Sequence, residues 1–144
     1  MRFHHLRLQG DAVVLAIFLV EDDWRIQEHF KLLVGEVLGA QVVGVAETSD
    51  EALAWIAAND GLWNLMVLDL CLRQGTGFQV LEHMEAVHKR QCVVLTNSPS
   101  APNVAHCLAL GVEAVFDKSL HIEDFLDYCA LLTKSHQLNF RRAD

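Results

Sequence analysis

Short runs of apolar residues recur along the chain, and four of them end abruptly in a polar residue. Ile17-Phe18-Leu19-Val20 stops at Glu21-Asp22-Asp23, and Leu65-Met66-Val67-Leu68 stops at Asp69. Val93-Val94-Leu95 stops at Thr96, and Ala114-Val115-Phe116 runs through Asp117 into Lys118. Runs this short and this apolar predict strands buried on both faces. With Val42 to Val45 they make five: Ala16 to Val20, Val42 to Val45, Leu65 to Leu68, Cys92 to Leu95 and Ala114 to Phe116. The stretches between them carry helical spacing. Ile26, Phe30, Leu33 and Val37 predict one stripe, with Gly39 as its stop. Thr48 and Glu51 predict an N-cap and capping box for the next helix, which ends near Asn59-Asp60-Gly61. Phe78, Leu81, Met84 and His88 predict a third helix, and 101–110 a fourth, ended by Gly111. His121 to Thr133 predicts the last, with Ile122, Phe125, Leu126 and Cys129 on one side.

Strands alternating with helices over short connections predict an α/β fold. Its sheet is open, parallel and five-stranded, in the order 2-1-3-4-5, with helices on both faces. The boundaries expected are an N-terminal extension over 1–14, one domain over 15–135 and a tail over 136–144. The Gly10-Asp11 break in the extension suggests no particular role.

Composition narrows the function classes. The chain has 144 residues, 52% of them hydrophobic, enough for a sizeable core. Its net charge of −8, with acids and bases interspersed, argues against direct nucleic-acid binding. Arg141-Arg142 reads as a solvated tail and His4-His5 as a polar terminal segment. The apolar run from Ala12 to Val20 is too short to span a bilayer, so no membrane insertion is expected. Acids follow that run where a signal peptide would carry small residues. Cys71, Cys92, Cys107 and Cys129 have no metal-binding spacing and predict reduced thiols in a cytoplasmic protein.

In a parallel sheet the carboxyl ends of the strands share one edge, where sites form. Glu21, Asp22, Asp69, Thr96 and Lys118 therefore belong to one candidate pocket. Three carboxylates repel unless a cation lies among them, and magnesium prefers hard oxygen ligands with waters and phosphate oxygens. Asp22 and Asp69 fit as direct ligands, Glu21 through water, and the Cys71 backbone carbonyl as a further donor. Read alone, Glu21-Asp22-Asp23 equally fits a solvated helix start. Asp69 is harder to explain that way, because a carboxylate straight after a fully apolar strand needs a partner. It could serve as a nucleophile at phosphorus, with Lys118 and Thr96 contacting phosphoryl oxygens.

The ordered set resembles the CheY-like receiver domain of two-component response regulators over about Ala16 to Leu132. It rests on Val20-Glu21-Asp22-Asp23, Leu68-Asp69-Leu70 with Gly77 eight residues after the Asp, Leu95-Thr96, and Phe116-Asp117-Lys118. The resemblance implies a flavodoxin-like (βα)5 three-layer sandwich. It implies Asp69 as phospho-acceptor, Glu21 and Asp22 as the acid pair, Thr96 as the switch hydroxyl and Lys118 as the phosphate-sensing lysine. It implies Mg2+ as cofactor, and a sensor histidine kinase or phosphotransfer protein as donor. Such a domain is not an enzyme beyond its own aspartyl phosphorylation and dephosphorylation.

Four positions depart from the family pattern. Arg73 stands where a proline is usual, and Ser119 follows Lys118 where another is. Asn97 replaces a small residue after the threonine, and Val115 replaces the switch aromatic. Neighbouring Phe116 should point to the opposite face of the sheet. Few residues follow the last helix, so the expected output is a surface that binds a downstream protein or a second copy. The uncharged helix over 101–110, with the fifth strand and last helix, is the candidate, although such a helix could also be simply packed. Two functions stay open: a stand-alone phospho-switch, and a receiver-like protein-binding module independent of phosphorylation. A magnesium-dependent phosphatase of the haloacid-dehalogenase type would need an acid two residues after Asp69, where Cys71 stands.

Overall fold

The computed structural model describes residues 7–9, 12–89 and 91–143, with side chains described over 14–89 and 91–135. Its core is a parallel sheet. The five expected strands are β3 (Ala16–Val20), β4 (Gln41–Ala46), β5 (Leu65–Leu68), β6 (Cys92–Thr96) and β7 (Ala114–Asp117). Their spatial order is β4-β3-β5-β6-β7, which is the predicted 2-1-3-4-5. β3, β5 and β6 are buried along their whole length, as their unbroken apolar composition requires. Two strands precede them. β1 (Arg7–Gln9) and β2 (Ala12–Val14) pair antiparallel, and β2 runs beside the last helix. The His4-His5 pair, the Gly10-Asp11 break and the side chains of Arg141 and Arg142 lie outside the described residues.

The helices are α1 (Trp24–Leu38), α2 (Ser49–Ala58), α3 (Gly77–His83), α4 (Ala86–Lys89), α5 (Ala101–Ala109) and α6 (Ile122–Ala143). They cover both sheet faces. One core holds Phe18, Met66, Leu68 and Val94 under α2, α3 and α5. The other holds Ile17, Val67 and Val93 against Phe30 and Val34 of α1 and Phe125 and Cys129 of α6. None of the described helices is long and apolar enough to cross a membrane.

Four helix expectations are corrected. The buried side of α1 is Gln27, Phe30 and Val34, while Ile26 and Val37 lie at the surface. The true stripe includes a polar residue, so apolar spacing alone selected a face rotated towards solvent. The predicted helix through His88 breaks at Met84, which adopts extended dihedrals and enters the core; α4 then forms separately. Thr48 caps α2 by accepting from the Glu51 backbone N–H, but Glu51 reaches back to the Glu47 N–H instead of closing the box on Thr48. A full capping box forms one element later, between Thr76 and Gln79. The last helix also runs ten residues past its expected end.

Trp55 of α2 stacks on Phe18 with ring centroids 4.0 Å apart. It lies over Gly44, where a Cβ would come within 2.4 Å of the indole. On the opposite face Tyr128, the single tyrosine, packs near Phe116. Burial, and then the Glu113 charge, push its phenol up to about 12. A folded-state value above the ordinary one stabilises the fold fully below about pH 10 and loses that contribution as pH rises through the raised value. The tyrosinate absorbance of the native protein is therefore expected to titrate with a midpoint near 12. A midpoint near 10, measured before unfolding, would place the phenol in water.

Candidate phosphoryl-acceptor site

The sheet ladder continues one residue beyond several strands, and that extension holds the charged groups. Glu21 N–H donates to Ala46 O at 2.9 Å, Asp69 N–H to Val20 O at 3.1 Å, and Lys118 N–H to Thr96 O at 2.9 Å. Glu21, Asp69 and Lys118 thus leave the carboxyl edge in fixed register. Their side chains converge: the Lys118 ammonium donates to Asp69 Oδ2 at 2.8 Å and to Glu21 Oε1. Glu21 is 2% exposed. Burial pushes its carboxyl above the usual range, and Lys118 pulls against that. Burial alone would lower the Lys118 pKa, but its bonds to Asp69 and Glu21 outweigh it and raise the value.

The three consecutive acids have separate roles. Glu21 faces Lys118, and its Oε2 accepts from Asp23 N–H at 3.2 Å. Asp23 is the N-cap of α1, accepting from Arg25 N–H at 2.9 Å, so the helix-start reading holds for that residue. Asp22 is half-buried beside them and makes no ion pair among the described residues. Gln27, missed in the sequence, donates to Glu21 O at 2.7 Å and to Glu47 Oε2 at 3.2 Å. The available signal was its register with Phe30 and Val34.

Thr96 is buried, and its Oγ1 accepts from Ser98 N–H at 3.1 Å. That leaves its own proton available to donate. Cys71 is exposed, and its N–H donates to Asp69 Oδ1 at 3.4 Å. Gly77 explains its spacing from Asp69: a Cβ there would lie 2.5 Å from the Asp69 carbonyl oxygen. A cavity of about 350 Å³ lies between α1 and the start of α6; Phe30, Leu33 and Ile122 line it together with Glu21, Asp69, Asn97 and Lys118.

The unusual positions are tied to their surroundings. Arg73 reaches Glu47 and Glu51, each at 3.6 Å, and Ser49 N–H donates to Gln74 O at 3.1 Å. The polar loop after Asp69 is therefore fastened to the start of α2. Ser119 Oγ–H donates to Asn97 Oδ1 at 3.2 Å, joining two of the departures. Asp117 Oδ1 accepts from the Ser119 and Leu120 N–H groups, and no cis peptide occurs among the described residues. Phe116 packs with Phe125 and Tyr128, on the face opposite Val115, as strand alternation requires.

The fit to a divalent cation rests on the donors. Glu21 and Asp69 converge on one cation, the ammonium of Lys118, and all the carboxylate donors are hard oxygens suited to magnesium. Among the described residues no three His, Cys, Asp or Glu side chains come together as a group that could hold a metal ion by themselves. Magnesium does not need one, since waters and phosphate oxygens complete its shell.

The model of the response regulator receiver domain matches residues 17–130. The chain belongs to that family. It is thus a module of two-component signal transduction, whose members accept a phosphoryl group and are generally not enzymes in their own right. Solved structures agree in fold. The CheY-like receiver domain protein from Methanospirillum hungatei JF-1 is 24% identical, with a TM-score of 0.70 over 88% of this chain and 98% of its own. The BeF3-activated receiver domain of Klebsiella pneumoniae RstA is 24% identical, with a TM-score of 0.72 over 82% and 97%. The phosphorylated cyanobacterial phytochrome response regulator RcpA is 26% identical, with a TM-score of 0.64 over 83% and 91%. Comparison with curated proteins finds no match.

Because Gly77 abuts the Asp69 carbonyl, Gly77→Ala must push the end of β5 and α3 apart. The variant is expected to lose about 1–3 kcal/mol of stability, read from its denaturant midpoint. Its Asp69 and Cys71 amide resonances should also move. A wild-type midpoint with unmoved resonances would show that the contact costs nothing.

Proposed function

We propose that this receiver domain accepts a phosphoryl group on Asp69 and converts that event into a change at the α5–β7–α6 surface. The observation that carries the reading is the Lys118 ammonium bridging Asp69 and Glu21 at the sheet edge, with a hydroxyl, Thr96, on the neighbouring strand end. The donor would be a phosphohistidine on a sensor kinase or phosphotransfer protein. A carboxylate oxygen of Asp69 forms the new P–O bond. The P–N bond breaks, and its electron pair returns to the donor imidazole, which takes up a proton. Lys118 would neutralise charge on the acceptor side, and Thr96 would donate its hydroxyl proton to a phosphoryl oxygen.

A bound Mg2+ would neutralise phosphoryl charge, held by Glu21, Asp22, Asp69 and the Cys71 carbonyl. Lys118 must release Glu21 if that carboxylate is to serve a metal. Glu21 and Asp22 keep the acid pair, Gln27 steadies the Glu21 backbone, and the cavity beside α1 gives a route to Asp69.

For output, α5 carries no charged residue. Ala101, Pro102, Ala105, His106, Leu108 and Ala109 are exposed, and Cys107 is its buried residue. That supports the surface reading over the packed one. An uncharged face beside exposed Leu120 suits a downstream protein or a second copy of this chain.

Intact mass after incubation with acetyl phosphate and magnesium tests the acceptor. One phosphoryl adduct is expected, dependent on magnesium and absent from a folded Asp69→Asn variant. An adduct that persists in the variant would remove Asp69 from its role. Failure of the wild type to form an adduct or to bind beryllofluoride would favour a phosphorylation-independent binding module.

A further inference from the structure

The usual aromatic partner of the switch hydroxyl is replaced by Val115, and Phe116 is committed to the opposite core. A polar connection leads from Thr96 instead. Thr96 Oγ1 accepts from Ser98 N–H at 3.1 Å, and Ser98 C=O accepts from the Asn103 side-chain amide at 2.9 Å. Asn103 lies in the first turn of α5, where its backbone N–H donates to the N-cap Ser100 Oγ at 3.3 Å. The connection from the end of β6 to α5 therefore passes through two hydrogen bonds meeting at Ser98. The Ser119–Asn97 bond ties the same loop to the residue after Lys118.

We propose that Asn103 is a positioning residue that couples the state of the Thr96 hydroxyl to the placement of α5. The inference rests on Asp69 phosphorylation for its biological use, but the coupling is a property of the unmodified chain. When Thr96 turns towards a phosphoryl oxygen, Oγ1 leaves the Ser98 N–H. Ser98 is exposed, so its N–H takes another acceptor from the loop or from water, and Ser98 is freed to shift. Its carbonyl is held by Asn103, so the first turn of α5 moves with it. A charge event at Asp69 thereby reaches the uncharged α5 face without an aromatic side chain changing rotamer. The change is a shift between two bonded arrangements of residues 97–100.

The test needs no phosphorylation. Thr96→Val removes the acceptor of the Ser98 N–H, and Asn103→Asp removes the donor to the Ser98 carbonyl while suiting a helix start. Amide resonances of the full chain are compared in a cycle of wild type, both single variants and the double variant. With Asn103 in place, Thr96→Val is expected to shift the resonances of Ser98 and of 104–109. When Thr96→Val is added to the Asn103→Asp variant, the shift at Ser98 should persist and the shifts along 104–109 should be lost. Equal shifts along 104–109 in both backgrounds would overturn the proposal, as would a Thr96→Val response that stops at Ser98. Asn103→Ala, which adds no charge, must repeat the Asn103→Asp result. Beryllofluoride titration of the wild type separately tests the phosphorylation reading, so a failure there is distinguishable from a failure of the coupling.

Discussion

Two carboxylates brought together at the end of a buried sheet repel each other unless a cation lies between them, and Lys118 supplies one from the end of β7, two strands from β5 and three from β3. The backbone makes that meeting possible. The ladder bonds of Glu21, Asp69 and Lys118 carry strand register one residue past the apolar core. Side chains that would otherwise fan into water are thereby aimed at each other. Glu21 can be nearly buried because Lys118 faces one oxygen and the Asp23 N–H the other. The core strands can then be uniformly apolar, since their charged ends are satisfied at the edge and not within it.

The departures from the family pattern fall into the same scheme of local compensation. A proline in the loop after Asp69 would stiffen it through the backbone; Arg73 fastens it through Glu47 and Glu51. These exposed pairs are individually weak. They act beside the Ser49–Gln74 backbone bond and the tight approach of Gly77 to Asp69. After Lys118, Ser119 spans the gap to Asn97. Each replacement exchanges conformational restriction for a polar contact, and such contacts can be broken and remade.

The three central strands were legible because burial on both faces leaves no polar position to blur the pattern, and the sheet-edge residues followed from where such runs stop; β4 and β7, at the edges of the sheet, are only partly buried, against the expectation for 114–116. Helices buried on one side were less legible. Gln27 sits in the core-facing row of α1 because its amide serves the Glu21 carbonyl and Glu47, so a purely apolar search chose Ile26 and Val37. Met84 ends α3 without proline or glycine, since its side chain is drawn into the core by tertiary packing that spacing does not encode. Glu51 was recognised as a backbone acceptor, but only the chain path decides that it reaches Glu47. The antiparallel pairing of β1 with β2 had no readable signal in so short and mixed a segment. The links from Thr96 to Ser98 and Asn103 likewise depend on the loop's path, which residue types alone leave open.

Lys118 also explains why this edge is poised and not merely stable. Glu21, Asp22 and Asp69 carry three negative charges when ionised, and Lys118 returns one positive charge. A single ammonium cannot balance all three when they are ionised. Burial has already raised the Glu21 pKa despite its partner, the mark of a carboxylate whose desolvation is incompletely repaid. A divalent cation would cancel the remaining charge, and hard oxygen donors are what this cleft offers. Lys118 would then be less needed at Glu21 and freer to face Asp69 alone. The same ammonium already donates to Asp69, so it would stay at that carboxylate when Glu21 is released. The backbone bond from Lys118 to Thr96 keeps the two strand ends in register while the side chains exchange partners.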